Sequence, residues 1–215
     1  MLESDLIVMI KQKKELSDIS GRLISDILDK YLKKHKINLE NLKQKEIKLI
    51  TKEIRAELRL YSGRFQKSSK DKEFLLKQNK IIELLKTHTS TAERLAFYPK
   101  LKEIIYSLNI KSILDLASGL NPLVLASPNI EYYAFDIKES EIFLINKFFK
   151  KNKIKGKAII KDIRKLKDFP KVELCILFKI LDILENSYEL AKKFLEKINC
   201  KYFLISFSTI TLSGK

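Results

Sequence analysis

Apolar positions change their rhythm near residue 108. Before it they recur at three- and four-residue steps, the spacing of one face of a helix. Leu23, Ile24, Ile27, Leu28, Tyr31 and Leu32 form such a face, with Asp26 and Lys34 in the same stretch. Asn38 is placed to cap a second helix through Ile47, Ile50, Ile54 and Leu58, with Glu40 and Glu46 towards its start. Tyr61-Ser62-Gly63 ends that pattern. A third run extends from about Asp71 through Leu75, Ile81, Ile82 and Leu85. A fourth helix, from Thr91 to Ser107, carries Leu95, Leu101, Ile104 and Ile105 inward, and Pro99 kinks it or divides it in two.

After residue 108, short β-rich runs alternate with helical ones. SILDLA, EYYAFDI, KAIIKDI, VELCILF and YFLISFS read as strands, while Glu139–Lys153 and Ser187–Ile198 have helical spacing. Strands alternating with helices predict a parallel sheet covered on both faces. The chain therefore divides into a helical N-terminal domain, 1–107, and a doubly wound α/β domain, 108–215. That architecture supports many functions, so the site must decide among them.

Composition narrows the field. No run reaches 18 uninterrupted apolar residues, so no membrane span is expected, and MLESDLIVMIKQKK lacks the basic-then-apolar order of a signal peptide. Cys175 and Cys200 show no CxxC spacing, and the histidines are His35 and His88, so neither a metal site nor a disulfide framework is expected. These features predict a cytoplasmic protein. The net charge is +16, spread over both halves of the chain. A phosphate-rich partner explains such an excess, because each neutralised phosphate releases a counterion. A Lys- and Ile-rich codon usage is the competing explanation, and the charge favours the phosphate-rich partner over it.

The first strand ends in Asp115-Leu116-Ala117-Ser118-Gly119-Leu120-Asn121-Pro122. Ligands of open α/β sheets lie beyond the carboxyl ends of the strands, where strand order reverses. A loop there needs small residues, and Ala117, Ser118 and Gly119 supply them. It has one glycine and no GxGxxG pattern to seat a pyrophosphate. S-adenosylmethionine (SAM) has no phosphate, so the looser D-x-A-x-G loop suits it. The second strand ends in Asp136, followed by Ile137; a carboxylate here can accept hydrogen bonds from both ribose hydroxyls. The third ends in Asp162 and Ile163, placed to receive an exocyclic amine and to pack on the adenine ring. Any one of these acids is equally explained as a strand-end residue facing water. Three at successive strand ends favour SAM, and with it a Rossmann-like SAM-dependent methyltransferase domain behind the helical N-terminal one.

Four segments then make the chain resemble the aminoglycoside-resistance 16S rRNA methyltransferases that modify guanine N7 in the decoding site. They are His88-Thr89-Ser90-Thr91-Ala92-Glu93-Arg94, Asp115 to Pro122, Leu177 to Glu185, and Ser206-Phe207-Ser208-Thr209 followed by Leu212-Ser213-Gly214-Lys215. The resemblance implies that Arg94 binds the methionine carboxylate of SAM, which suits a planar guanidinium fork; a surface ion pair with Glu93 is the ordinary alternative. It implies that Lys179 faces the target nucleotide as the catalytic residue. A lysine ending a buried strand is otherwise costly. It implies that the N-terminal helices dock on 16S rRNA of the 30S subunit, with Lys11, Lys13, Lys14, Lys33, Lys34 and Lys36 as candidate contacts. Against the family pattern the loop has Ala-Ser-Gly where many relatives carry Cys before the glycine. The sequence also stops at Gly214-Lys215, where relatives continue through a basic loop and a closing helix, so it reads as short at its C-terminus.

The missing motifs bear on the target atom. Exocyclic amine methylation uses an N/D-P-P-aromatic loop, and here the corresponding place reads Phe178-Lys179-Ile180-Leu181. Cytosine C5 methylation needs an exposed cysteine nucleophile, whereas Cys175 lies inside a strand pattern. Guanine N7 needs neither. The competing readings are a methyltransferase acting on tRNA or another RNA, and a catalytically idle RNA-binding ribosome assembly factor.

Overall fold

The structure, a computed structural model, describes residues 2–62, 72–166, 168–181 and 188–207. Gly63, Asp71, the stretch from Asp182 to Ser187, and Ser208 to Lys215 lie outside the described residues, and with them parts of two of the four motif segments.

Three N-terminal helices, α1 (Glu3–Lys11), α2 (Gly21–His35) and α3 (Gln44–Ser62), bury a core of their own. Ile24, Ile27 and Leu28 of α2 meet Ile50, Ile54 and Leu58 of α3 in it, as the three-and-four spacing requires. Asn38 does not cap α3. Its side chain accepts from Glu40 N across a 3-10 turn, Leu39–Asn41, and α3 begins at Gln44.

The third run divides into α4 (Lys72–Lys77) and α5 (Ile81–Lys86). Asn79 adopts φ 56°, Lys80 N donates to Leu75 O at 2.9 Å, and Asn79 N donates to Leu76 O at 3.1 Å. This left-handed cap satisfies the last carbonyls of α4 and turns the chain. The fourth run also divides, into α6 (Thr89–Glu93) and α7 (Tyr98–Ser107), with Pro99 in the first turn of α7, where its missing N–H costs nothing.

The sheet is parallel throughout, in the order β3-β2-β1-β4-β5. The strands are β1 (Ser112–Leu116), β2 (Glu131–Asp136), β3 (Gly156–Ile160), β4 (Leu174–Phe178) and β5 (Tyr202–Ser206). Every residue of β4, an interior strand, is buried, consistent with an apolar run covered on both faces, while β5 at the edge is at most half-buried. A short helix, α8 (Pro122–Leu125), follows β1; α9 (Glu139–Lys151) joins β2 to β3, and α10 (Tyr188–Glu196) precedes β5. Leu75, Leu84, Leu85, Tyr98 and Ile105 share one core with α9 and the sheet, so α4, α5 and α7 cover that face. Phe194 and Ile198 pack on the other face, against Cys175 and Leu177.

Candidate active site

Strand order reverses beside β1: the chain runs outward to β2 and β3, then returns to the other side at β4. The carboxyl ends of β1 and β4 therefore flank a crevice, the place where an open α/β sheet takes its ligand. A cleft of about 860 Å³, open to solvent, occupies it. Ala117, Ser118, Gly119, Asp136, Ile137, Asp162, Ile163, Arg94 and Lys179 all line this cleft.

Its backbone is unusual. Ala117 at φ 48°, Gly119 at φ 50° and Lys179 at φ 57° are all left-handed. Such strain persists only where the surroundings hold it, and here it lies at the two strand ends that flank the crevice. Ser118 N donates to Phe135 O at 3.0 Å, and Gly119 N donates to the Asp136 carboxylate at 2.9 Å. Asp136 also accepts from Ile137 N at 2.7 Å and Lys138 N at 3.2 Å. One carboxylate thus holds the loop after β1 and the turn after β2 together. Burial raises its pKa, and Glu141 adds to the rise. Oδ1 takes two of these donors and Oδ2 one, which leaves a single accepting site on Oδ2 for a donor from a ligand.

Asp115 does not line the cleft. It is fully buried beneath the loop and accepts from Tyr132 Oη at 2.7 Å. Burial pushes its carboxyl up to about 7, against the Tyr132 hydrogen bond and the nearby Arg94 charge. Asp162 reaches the cleft, but Arg164 grips it: Nε donates to Oδ1 at 2.7 Å and Nη2 to Oδ2 at 2.6 Å. Arg164 N also donates to Oδ1, so Oδ2 keeps the remaining accepting capacity. None of the three acids is an exposed strand-end residue.

Arg94 leaves the end of α6 and points inward. Its Nη1 donates to Asn121 Oδ1 at 3.2 Å, and its guanidinium carbon lies 4.7 Å from the centre of the Phe178 ring. Tyr98 Oη donates to the same Asn121 oxygen at 2.8 Å. Burial presses the guanidinium below its ordinary pKa, opposed by Tyr98, Asp115 and Glu93. Glu93 itself pairs with Lys179 at 2.6 Å. Lys179 is not the buried strand residue expected; it follows β4 and keeps about a third of its side chain exposed. Cys175 is buried inside β4, and burial raises its thiol well above the ordinary value, which suppresses the thiolate.

Sequence reasoning missed a buried charge cluster under the cleft. Glu141, in the first turn of α9, is fully buried; Lys72 Nζ lies 2.9 Å from its carboxylate, Lys138 Nζ 3.9 Å, and His88 Nε2 3.7 Å. The Glu141 carboxyl is held down to about 2: His88, Lys138 and Lys72 outweigh a large opposing effect of burial. Burial pushes His88 down to about 4, so its ring is neutral at pH 7. An acid three residues beyond Lys138 in a helical pattern reads as a solvated side chain, and nothing local marks it as buried.

The candidate docking lysines lie at helix ends of the N-terminal part. Lys13, Lys14, Lys33, Lys34 and Lys36 are exposed, while Lys11 is half-buried and pairs with Glu139 at 3.6 Å. Among the described residues no helix is long and apolar enough to cross a membrane, and no group of His, Cys, Asp or Glu is arranged to hold a metal ion.

The family model "Ribosomal RNA methyltransferase (FmrO)" matches residues 75–215. The 16S rRNA methylase RmtB is 24% identical, with 97% of this chain and 85% of that one covered at a TM-score of 0.77. The 16S rRNA methyltransferase RmtF, solved with S-adenosyl-L-homocysteine, is 21% identical over 100% of this chain and 84% of that one, at a TM-score of 0.76. The 16S rRNA methylase ArmA is 30% identical over 69% of this chain and 81% of that one, at a TM-score of 0.51. No curated protein sequence matches. With well over half its length matched by that model, the chain belongs to the ribosomal RNA methyltransferase (FmrO) family.

Proposed function

We propose that the chain is a SAM-dependent methyltransferase acting on guanine N7 in the decoding site of 16S rRNA in the 30S subunit, in the cytoplasm. The observation that carries the cofactor is the convergence of Arg94, Asp136 and the left-handed Ala117–Gly119 loop on one cleft. These residues fit SAM: a guanidinium for a carboxylate, a carboxylate oxygen with one accepting site left for a ribose hydroxyl, and small residues where the ligand meets the backbone. The RmtF complex agrees with this choice of cofactor.

When bound, SAM supplies an electrophilic methyl group on a sulfonium sulfur. Arg94 would hold the amino-acid end, Asp136 the ribose, and Ile137 and Ile163 would pack on the adenine, with Asp162 Oδ2 left to accept from its exocyclic amine. Asp115 supports the loop from beneath. Lys179 stands at the cleft wall, where exchanging Glu93 for an RNA phosphate would bring the target base to the β4 end. Guanine N7 carries no proton and keeps its lone pair in the ring plane, so no side chain has to act as a general base. The remaining work is alignment. The buried, protonated Cys175 argues against C5 chemistry. The net charge of +16 and the exposed lysines of the N-terminal helices favour a phosphate-rich partner docking on that part.

Radiolabelled SAM offered with 30S subunits, or with tRNA, tests the assignment. Label on 16S rRNA, mapped by primer extension and mass spectrometry to a guanine N7, is the expected result. Label on tRNA instead moves the substrate, and no label on either, with no cofactor binding, leaves an RNA-binding assembly factor.

A further inference from the structure

Residues 18–20, which lead into α2, run antiparallel to the residues that follow Asp136. Ile19 and Lys138 form an antiparallel bridge. Ser20 N donates to Ile137 O at 3.1 Å, and Glu139 N donates to Asp18 O at 3.0 Å. Both oxygens of the Asp18 carboxylate then accept from Ser140, one from its N at 2.9 Å and the other from its Oγ at 2.5 Å.

This strap supplies something α9 lacks. Lys138 occupies the N-cap of α9 and offers no side-chain capping bond. Asp18, 122 residues distant from Ser140 in sequence, takes over that role and sets a negative charge at the positive end of the helix. Two of the strapped residues, Ile137 and Lys138, line the cleft. Asp136 immediately precedes them and accepts from Ile137 N and Lys138 N. Ile137 lines the cleft and also packs against the core of the N-terminal helices.

We propose that Asp18 is a positioning residue for the cofactor, acting through residues 137–140 to fix Asp136 and Ile137; this rests on the cleft being the SAM site. Asp18 does not line the cleft. With the strap intact, the turn after β2 stays in the arrangement that binds; without it, that arrangement is one of several, and affinity falls by the fraction lost.

Calorimetric titration of S-adenosylhomocysteine into the full chain, with thermal denaturation alongside, is the test. Asp18→Ala is expected to weaken binding by about fivefold, the change that loss of one helix cap converts to. Asp18→Asn, whose amide oxygen still accepts from Ser140 N, is expected to bind nearly as the unsubstituted chain does. Ile54→Val, in the N-terminal core, lowers the melting temperature without touching the strap and should leave affinity unchanged. The proposal is overturned if Asp18→Ala binds normally, or if Ile54→Val weakens binding as much, since lost stability would then explain both. If Asp18→Ala does not fold, Ser140→Ala deletes the hydroxyl bond alone and is read the same way. Failure of the unsubstituted chain to bind removes the cofactor reading itself, and this proposal with it.

Discussion

The imidazole of His88 lies against Gly119: a Cβ on residue 119 would come within 3.2 Å of His88 Cε1. His88 opens the segment that ends in Arg94, and Gly119 lies in the loop after β1. The contact therefore joins two of the motifs that mark the family in sequence.

Gly119→Ala tests that contact. Position 119 is left-handed, which costs a residue with a Cβ about 1–2 kcal/mol, and the new methyl also presses on His88. A loss of stability of at least that size is expected by chemical denaturation, together with weaker binding of S-adenosylhomocysteine. A variant as stable as the unsubstituted chain would show that the loop moves freely away from His88.

Arg94 is held by Asn121 and the Phe178 ring with its guanidinium facing the cleft. A charge-assisted hydrogen bond is worth about 1.5–3 kcal/mol, so Arg94→Ala should weaken cofactor binding roughly 10- to 100-fold. Arg94→Lys should recover little of it, because an ammonium reproduces neither the planar fork nor the stacking. Calorimetry on the two variants decides this.

Asp115 predicts a pH dependence of stability. Burial lifts its pKa from an ordinary 3.8 to about 7 in the folded protein, so folding takes up a proton between those values. Its contribution is present below pH 4 and is lost as pH rises through 7. Asp115→Asn keeps an acceptor for Tyr132 Oη and removes the titration. Its melting temperature relative to the unsubstituted chain should therefore climb from pH 4 to pH 7 and level off above. A difference independent of pH would refute the assignment.

Glu141→Gln should be more damaging than a surface acid change. It leaves Lys72 and Lys138 buried without their carboxylate, and breaking a buried pair costs about 3–5 kcal/mol. Replacing Glu103, exposed and paired with Lys100, should cost under about 1 kcal/mol. Denaturant titration of both variants provides the comparison.

Much of this protein was legible along the chain. Strand runs alternate or stay apolar over five or six residues, and helical faces repeat every three or four, so β1 to β5, α2 and α9 follow from local spacing. The strand-end acids and the small-residue loop were legible for the same reason: a parallel sheet puts its ligand at those ends whatever the rest of the chain does. The breaks in the third and fourth helical runs turned on single residues. Pro99 marks its break in the sequence, whereas the left-handed cap at Asn79 leaves no clear mark, because a tolerant asparagine inside an apolar pattern is weaker punctuation than glycine.

What the tertiary structure decided is which charges are buried and what they meet. Asp115 and Asp136 look alike as strand-end acids, yet one is sealed beneath the loop while the other lines the cleft. Glu141 reads as a surface helix acid until Lys72, 69 residues away, is brought to 2.9 Å. Lys179 reads as a costly strand lysine until Glu93, 86 residues away, pairs with it. Hydrophobic periodicity specifies the face of an element and therefore the fold. The partner of a polar side chain depends on which elements the fold brings together, and local spacing carries no record of that.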